Sequence, residues 1–285
     1  MDKLADGYGL IEGPVWHTER GLLFSDVQAG GVYAVTPLGA VSTVFEHRRG
    51  IGGMALHANG EGLVVSGRNL AYKPFDGGPT VELHAQSAGN AAVGFNDITT
   101  DSVGRVYAGE LGGSPFDETR GTPGDLWMLD LDGSASVVGH DILLTNGLGF
   151  SPDGRTLYHS DSLRAAVMQY DVHDDGTLGP KQHFADMVRG HPDGLVISED
   201  GAVWVALASG GGGVGVYNPD GTHRAHIAIP VPMCTSVCFG GADLRQLYIV
   251  SGSDGAESDR AGAVFVTEAD VSGLPVAPAR VAVSS

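Results

Sequence analysis

Short apolar runs broken by Gly-bearing turns fill this chain from end to end. In the first stretch they fall at Gly13 to Trp16, Leu22 to Phe24, Val32 to Val35 and Val41 to Phe45. A later stretch repeats the theme at Leu148 to Phe150, Thr156 to Tyr158, Val167 to Tyr170 and Gln182 to Phe184. The next has Leu195 to Ile197, Val203 to Ala206, Gly215 to Tyr217 and His226 to Ile229. Runs of three to five residues rich in Val, Ile, Leu, Tyr and Phe, punctuated by Asp-Gly and Asn-Gly, read as strands in a meander. No stretch carries an amphipathic helical period. Six openings of this phrase recur, at Glu12, Gly52, Asn96, Asn146, Asp193 and Ser236, spaced 40 to 50 residues apart. A period in the forties with strand patterning is the mark of a propeller blade. The pattern predicts an all-β chain: a six-bladed β-propeller whose four-stranded antiparallel blades surround a central channel.

That architecture assigns a place to the openings. The first strand of a blade lies nearest the channel, so its first residue stands at one mouth. Glu12, Asn96, Asn146 and Asp193 come from four blades and are expected to meet there. The second strand runs back to the same mouth and adds a ring that includes Arg68, Glu110 and Asp161. Asn-Asp, Asn-Gly and Asp-Gly are turn formers in any context; what singles these four out is their coincidence at one point of separate repeats. Two carboxylates and two amides gathered without Lys or Arg repel one another unless a cation sits between them. Oxygen-only donors suit Ca²⁺, Mg²⁺ or Mn²⁺, and a vacant coordination position lets such an ion polarise a carbonyl or activate water. Asp193, ahead of Glu12, is the expected general base.

Composition narrows the partners. Acids outnumber bases 34 to 16, a net charge of −18, which gives no purchase on nucleic acid or on anionic membranes. No run approaches the roughly 18 apolar residues of a membrane span, and Met1-Asp2-Lys3-Leu4-Ala5-Asp6 lacks the apolar core of a signal peptide. The cytoplasm is therefore the expected compartment. No linker or composition break divides residues 1–285, so one domain is expected. The two cysteines, Cys234 and Cys238, read as small buried hydrophobes, and Trp16, Trp127 and Trp204 as core.

Read in order, Glu12-Gly13-Pro14-Val15-Trp16, Phe95-Asn96-Asp97, Asn146-Gly147-Leu148, Pro192-Asp193-Gly194 and Thr235 to Gly241 resemble the successive motifs of the regucalcin/gluconolactonase family, the senescence marker protein lactonases. The resemblance spans nearly the whole chain. It implies one divalent cation in the channel, Ca²⁺ first, with Zn²⁺, Mn²⁺, Mg²⁺ or Fe²⁺ as alternatives. It further implies that Glu12, Asn146 and Asp193 are direct ligands, that Asn96 is a ligand or a substrate contact, that Asp193 is the base, and that the substrate is a small-molecule lactone or ester. At one point the chain departs from that pattern. Sugar-lactone members often carry Arg two residues before the channel Asn; here the residue is Gly94. A Gly there is expected to open space and remove a donor fork, favouring a substrate bulkier than a sugar lactone, with Arg68 a replacement cation.

His191, before Pro192, is expected at the mouth as a substrate contact or proton shuttle. Glu110 and Asp161 are expected to support the ligands, Glu110 also as a substrate contact. The loop from Gly112 to Gly124 is a candidate lid. The outer strand of the last blade is drawn either from Ala279 to Val283 or from Met1 to Leu10. A metal-dependent lactonase leads; a metal-dependent esterase or other propeller enzyme on a non-sugar substrate, and a metal-binding propeller without activity, are the alternatives.

Overall fold

A computed structural model of the chain describes residues 1–46, 48–86 and 92–283. It contains six four-stranded antiparallel sheets. Their inner strands are Ile11–His17, Met54–Leu56, Gly94–Thr100, Thr145–Phe150, His191–Ile197 and Met233–Gly240. Each inner strand packs on the next and the sixth returns to the first, closing a ring around the channel. The chain is a six-bladed β-propeller.

Strand composition follows position. Second strands lie between two neighbouring blades, so both faces are covered and the sequence becomes a continuous apolar run. Val203–Ala208 is buried at every residue. Outer strands face solvent and turn polar, as in Val41–Phe45 and His223–Ala228. The core is accordingly split into wedges between blades. The wedge between the fifth and sixth packs Trp204 on Phe239 edge-on, with ring centres 5.4 Å apart, over Val214, Leu247 and Phe265. Each such fully buried large side chain contributes about 1.5–3 kcal/mol. Among the described residues no helix is long and apolar enough to cross a membrane. Cys234 and Cys238 are buried and unpaired.

The ring is closed by the N-terminus. Asp2–Tyr8 is the outer strand of the sixth blade, antiparallel to Gly262–Glu268, with Asp2 opposite Val266 and Tyr8 opposite Gly262. The other candidate for that strand, Ala279 to Val283, does a different job. It is the end of a tail laid across the channel end opposite the predicted ring. Leu274 N–H donates to Ile197 O (2.9 Å), Ala279 N–H to Leu56 O (2.7 Å), Arg280 N–H to Gly104 O (2.8 Å) and Ala282 N–H to Leu131 O (2.9 Å). Ala279 and Val281 are buried in the wedge between the second and third blades.

Candidate metal centre

The inner strands of blades three, four and five leave ladder register at the same step. Two residues, Asn96-Asp97, Asn146-Gly147 and Asp193-Gly194, stand opposite one on the second strand. A β-bulge of this kind bends the strand and re-aims its side chains. The following blade crowds close behind. A Cβ on Gly147 would stand 2.3 Å from Leu195 N, and one on Gly194 2.0 Å from Ser236 Oγ, so only Gly fits the second bulge position there. In blade one the bulge is Gly13-Pro14, and Glu12 pairs with Ser25 just before it. Glu12 therefore stands one residue earlier in its ladder than Asn96, Asn146 and Asp193. Its longer side chain compensates by one methylene.

The four predicted residues do line one cavity of about 1150 Å³ at this mouth. Asn96 Nδ2 donates to Asn146 Oδ1 (2.6 Å) and to Thr145 O (2.8 Å). Both amide protons are thereby used, which leaves the Asn96 carbonyl oxygen as its remaining functional atom. That oxygen stands where a side chain on Gly52 would be, 2.2 Å from the Cβ position. Asn146 Nδ2 donates to Ser162 Oγ (2.7 Å). Glu12 and Asp193 are both buried, yet Glu12 Oε2 and Asp193 Oδ1 have no hydrogen-bond partner.

Electrostatics sharpen that oddity. Burial raises the Glu12 carboxyl well above the usual carboxylate range, and repulsion from Asp193 and Asp97 adds to it. Asp193 is raised by burial and by Asp97. Asp97 itself is pushed up to about 7, by burial. Among the described residues no Lys, Arg or His forms an ion pair with any of the three. Asp97 is thus a third buried acid whose charge reaches Glu12 and Asp193, passed over in the sequence; it does not line the cavity and occupies the bulge slot that Gly147 and Gly194 hold in the next two blades. Among the described residues no three His, Cys, Asp or Glu side chains gather into a metal-holding group. An ion here would draw on amide oxygens as well as carboxylates. Two orphaned carboxylate oxygens and the Asn146 and Asn96 carbonyls, all from residues that line one cavity, are hard-oxygen donors whose chemistry fits a divalent cation such as Ca²⁺, Mg²⁺ or Mn²⁺.

The remaining predicted residues divide. His191 lines the cavity, and its Nδ1 donates to Ser162 O (2.7 Å). In the neutral ring that bond places the proton on Nδ1 and leaves Nε2 an acceptor. Arg68 lines the cavity on an exposed rim. Asp161 accepts from Leu143 N–H (3.1 Å) and Leu144 N–H (3.2 Å) and pairs with Arg164, bracing the segment before Asn146. Glu110 does not line the cavity. Gln86 Nε2 donates to its Oε1 (3.0 Å) and to the carbonyl of the cavity-lining Gly94 (3.3 Å), and burial raises the Glu110 carboxyl. The Gly112-to-Gly124 loop brings Pro115, Phe116 and Arg120 to the cavity wall, with Phe116 72% exposed.

Gly94 needs a different explanation from the one its sequence context suggests. Gly67 and Phe95 exchange backbone hydrogen bonds between blades two and three (2.7 and 3.1 Å). A Cβ on Gly94 would stand 2.5 Å from Gly67 O and 3.3 Å from Arg68 Cα, at φ +151°. Close approach of two blades, not space for substrate, requires Gly here.

Residues 10–253 match the model of the SMP-30/gluconolactonase/LRE-like region. The chain is 34% identical over 276 residues to the 6-deoxy-6-sulfogluconolactonase of Pseudomonas putida, covering 93% of this chain and 92% of the relative. It is 30% identical over 280 residues to pentonolactonase XacC of Haloferax volcanii, covering 93% of each. Among solved structures, a calcium-binding protein, regucalcin, from Agrobacterium tumefaciens superposes with a TM-score of 0.85 at 22% identity, over 98% of this chain and 96% of that one.

Proposed function

This chain belongs to the SMP-30/gluconolactonase/LRE-like family, and we propose that it is a divalent-metal-dependent lactonase. The observation that carries this reading is the pair of buried carboxylate oxygens, Glu12 Oε2 and Asp193 Oδ1, left without partners in the wall of an open cavity. Glu12, Asn146 and Asp193 would hold the ion; the Asn96 carbonyl would be a fourth donor or would accept from substrate. Bound there, a divalent cation supplies Lewis acidity toward the lactone carbonyl and toward water.

The protein's own groups do the rest. Asp193 accepts the proton as water adds to the carbonyl carbon. The ring C–O bond then breaks, and its oxygen takes the proton back from Asp193 to leave as a hydroxyl, giving the hydroxy acid. His191 Nε2 accepts from a substrate hydroxyl, and Arg68 donates to substrate oxygens. The two relatives' names point to lactones of sugar acids. The cavity is larger than most small-ligand sites, which supports a substrate bigger than a bare sugar lactone. A non-sugar lactone or aryl ester is the second reading, favoured by the apolar wall of Val93, Leu111, Pro115 and Phe116.

The test is a panel of sugar, aliphatic and aromatic lactones and aryl esters, run on metal-stripped protein reconstituted with Ca²⁺, Mn²⁺, Mg²⁺ and Zn²⁺ in turn. Hydrolysis is expected only after reconstitution. Full activity in the stripped protein would sink the metal-dependent reading.

A further inference from the structure

Ser162 lies outside the four openings and carries no motif. It follows the second strand of blade four, Thr156–Asp161, and begins the single 3₁₀ turn among the described residues, Ser162–Arg164. The turn is held from both ends. Asp161 is fixed by the Leu143 and Leu144 amides, and Ala165 adopts φ +52° and returns its N–H to Ser162 O at 3.1 Å. Ser162 is 6% exposed. Its position lets one residue of blade four reach the inner strand of blade five.

Its hydroxyl has one proton and two lone pairs. Ser162 Oγ lies 2.6 Å from Pro192 O, which can only accept, so the proton goes there. The Asn146 amide, 2.7 Å away, must then be the donor to Oγ. This settles which way the Asn146 side chain faces: NH₂ toward Ser162, and Oδ1 toward the centre, where Asn96 Nδ2 meets it at 2.6 Å. The same hydroxyl holds the carbonyl of Pro192, the peptide that carries Asp193. Pro192 has no N–H to give the ladder, and the bulge begins at the next residue, Asp193, so the Ser162 hydroxyl adds a side-chain anchor just where the pairing breaks. The Ser162 carbonyl in turn receives the His191 Nδ1 proton.

We propose that Ser162 is the positioning residue of the cation site, orienting the Asn146 oxygen and the Asp193 carboxylate without touching the ion; this rests on the metal-dependent reading above. Removing the hydroxyl strands Asn146 Nδ2 and Pro192 O and frees the Asn146 amide to turn its NH₂ toward the ion. Loss of such a supporting group weakens metal binding about 10–100-fold.

Calorimetric titration of metal-stripped protein with CaCl₂ tests this without reference to turnover. Ser162→Ala is expected to weaken Ca²⁺ binding about tenfold or more, and Ser162→Thr, which keeps the hydroxyl, to stay within roughly threefold of wild type. The decisive comparison is a cycle with Asn146→Ala. Ser162→Ala should cost much less in that background than in wild type, because part of its effect passes through Asn146. Thermal unfolding of each metal-free variant checks that it is folded, and Ser162→Cys, of similar volume and weaker donor strength, substitutes if Ser162→Ala is not. Wild-type affinity in Ser162→Ala, or an equal loss in both backgrounds, overturns the positioning role and leaves the metal reading standing. If wild type takes up no Ca²⁺, the same titrations are run with MnCl₂, MgCl₂ and ZnCl₂; a wild-type protein that takes up none of the four overturns both readings before any substitution is made.

Discussion

The two ends of the channel are built on opposite terms. At the far end the C-terminal tail crosses the inner strands, and its backbone groups find partners on blades two, three and five while Ala279 and Val281 fill an apolar wedge. At the near end three acids are buried within reach of one another's charge, and two of their oxygens have no hydrogen-bond partner. Stability is invested at the far end. The near end keeps buried, mutually repelling acids that cost stability, a pattern that functional sites tolerate.

Substitutions at the two ends should therefore have opposite signatures. The largest effect is expected from Asp193→Ala and Glu12→Gln, each lowering lactone hydrolysis at least about a thousandfold. Glu12→Gln should at the same time raise the melting temperature of the metal-free protein, since it removes a buried, repelled charge. At the far end Ala279→Asp places a charge at a fully buried position and should cost about 3 kcal/mol or more of stability. The protein that remains folded should keep its affinity for Ca²⁺. Denaturant melts and calcium titrations on the same samples separate the two patterns.

Acidity gives the next comparison. Glu12, Asp97 and Asp193 titrate above their ordinary values in the folded chain. Below pH of about 4 they are protonated both folded and unfolded, and no penalty arises. As pH rises the unfolded state ionises first, so the folded state loses relative stability up to and beyond pH of about 7. Metal-free protein should therefore melt at lower temperature at pH 8 than at pH 5, with a slope that saturating Ca²⁺ reduces. A metal-free melting temperature that climbs over this window would contradict the buried-acid description. The smallest expected effect is at Gly52. A Cβ there meets the Asn96 oxygen, so Gly52→Ala should raise KM or weaken Ca²⁺ binding roughly tenfold. Gly60→Ala, at φ +74° with open space around it, should cost about 1 kcal/mol of stability and leave binding unchanged.

The near end was also the more legible in sequence, because repetition exposes it. Glu12, Asn96, Asn146 and Asp193 recur with the blades, and convergence follows once the blades are counted. What escaped depends on backbone detail that a repeat does not encode. Asp97 reads as half of an Asn-Asp turn until the bulge puts both residues opposite one partner. Glu110 holds the same ladder position as Asp161, but its carboxylate meets Gln86, which follows the outer strand of the preceding blade, a contact no repeat encodes. Gly94 looks like a deleted arginine because the backbone bridge to Gly67 joins residues from different blades. Ser162 depends on a 3₁₀ turn of three residues, too short for any pattern to announce. The two chain ends are harder to tell apart: Asp2–Tyr8, on the outer edge of the sixth blade, and the tail across the far end both mix apolar and polar residues, and only tertiary pairing separates them.

The most direct test is crystallographic: a crystal of the wild-type protein grown in a manganese salt, with anomalous scattering measured at the mouth. A single peak is expected within about 2.0–2.6 Å of Glu12 Oε2, Asn146 Oδ1 and Asp193 Oδ1. A map with no peak there, and with those two carboxylates bonded instead to protein donors, would contradict a cation-holding mouth even on this same propeller.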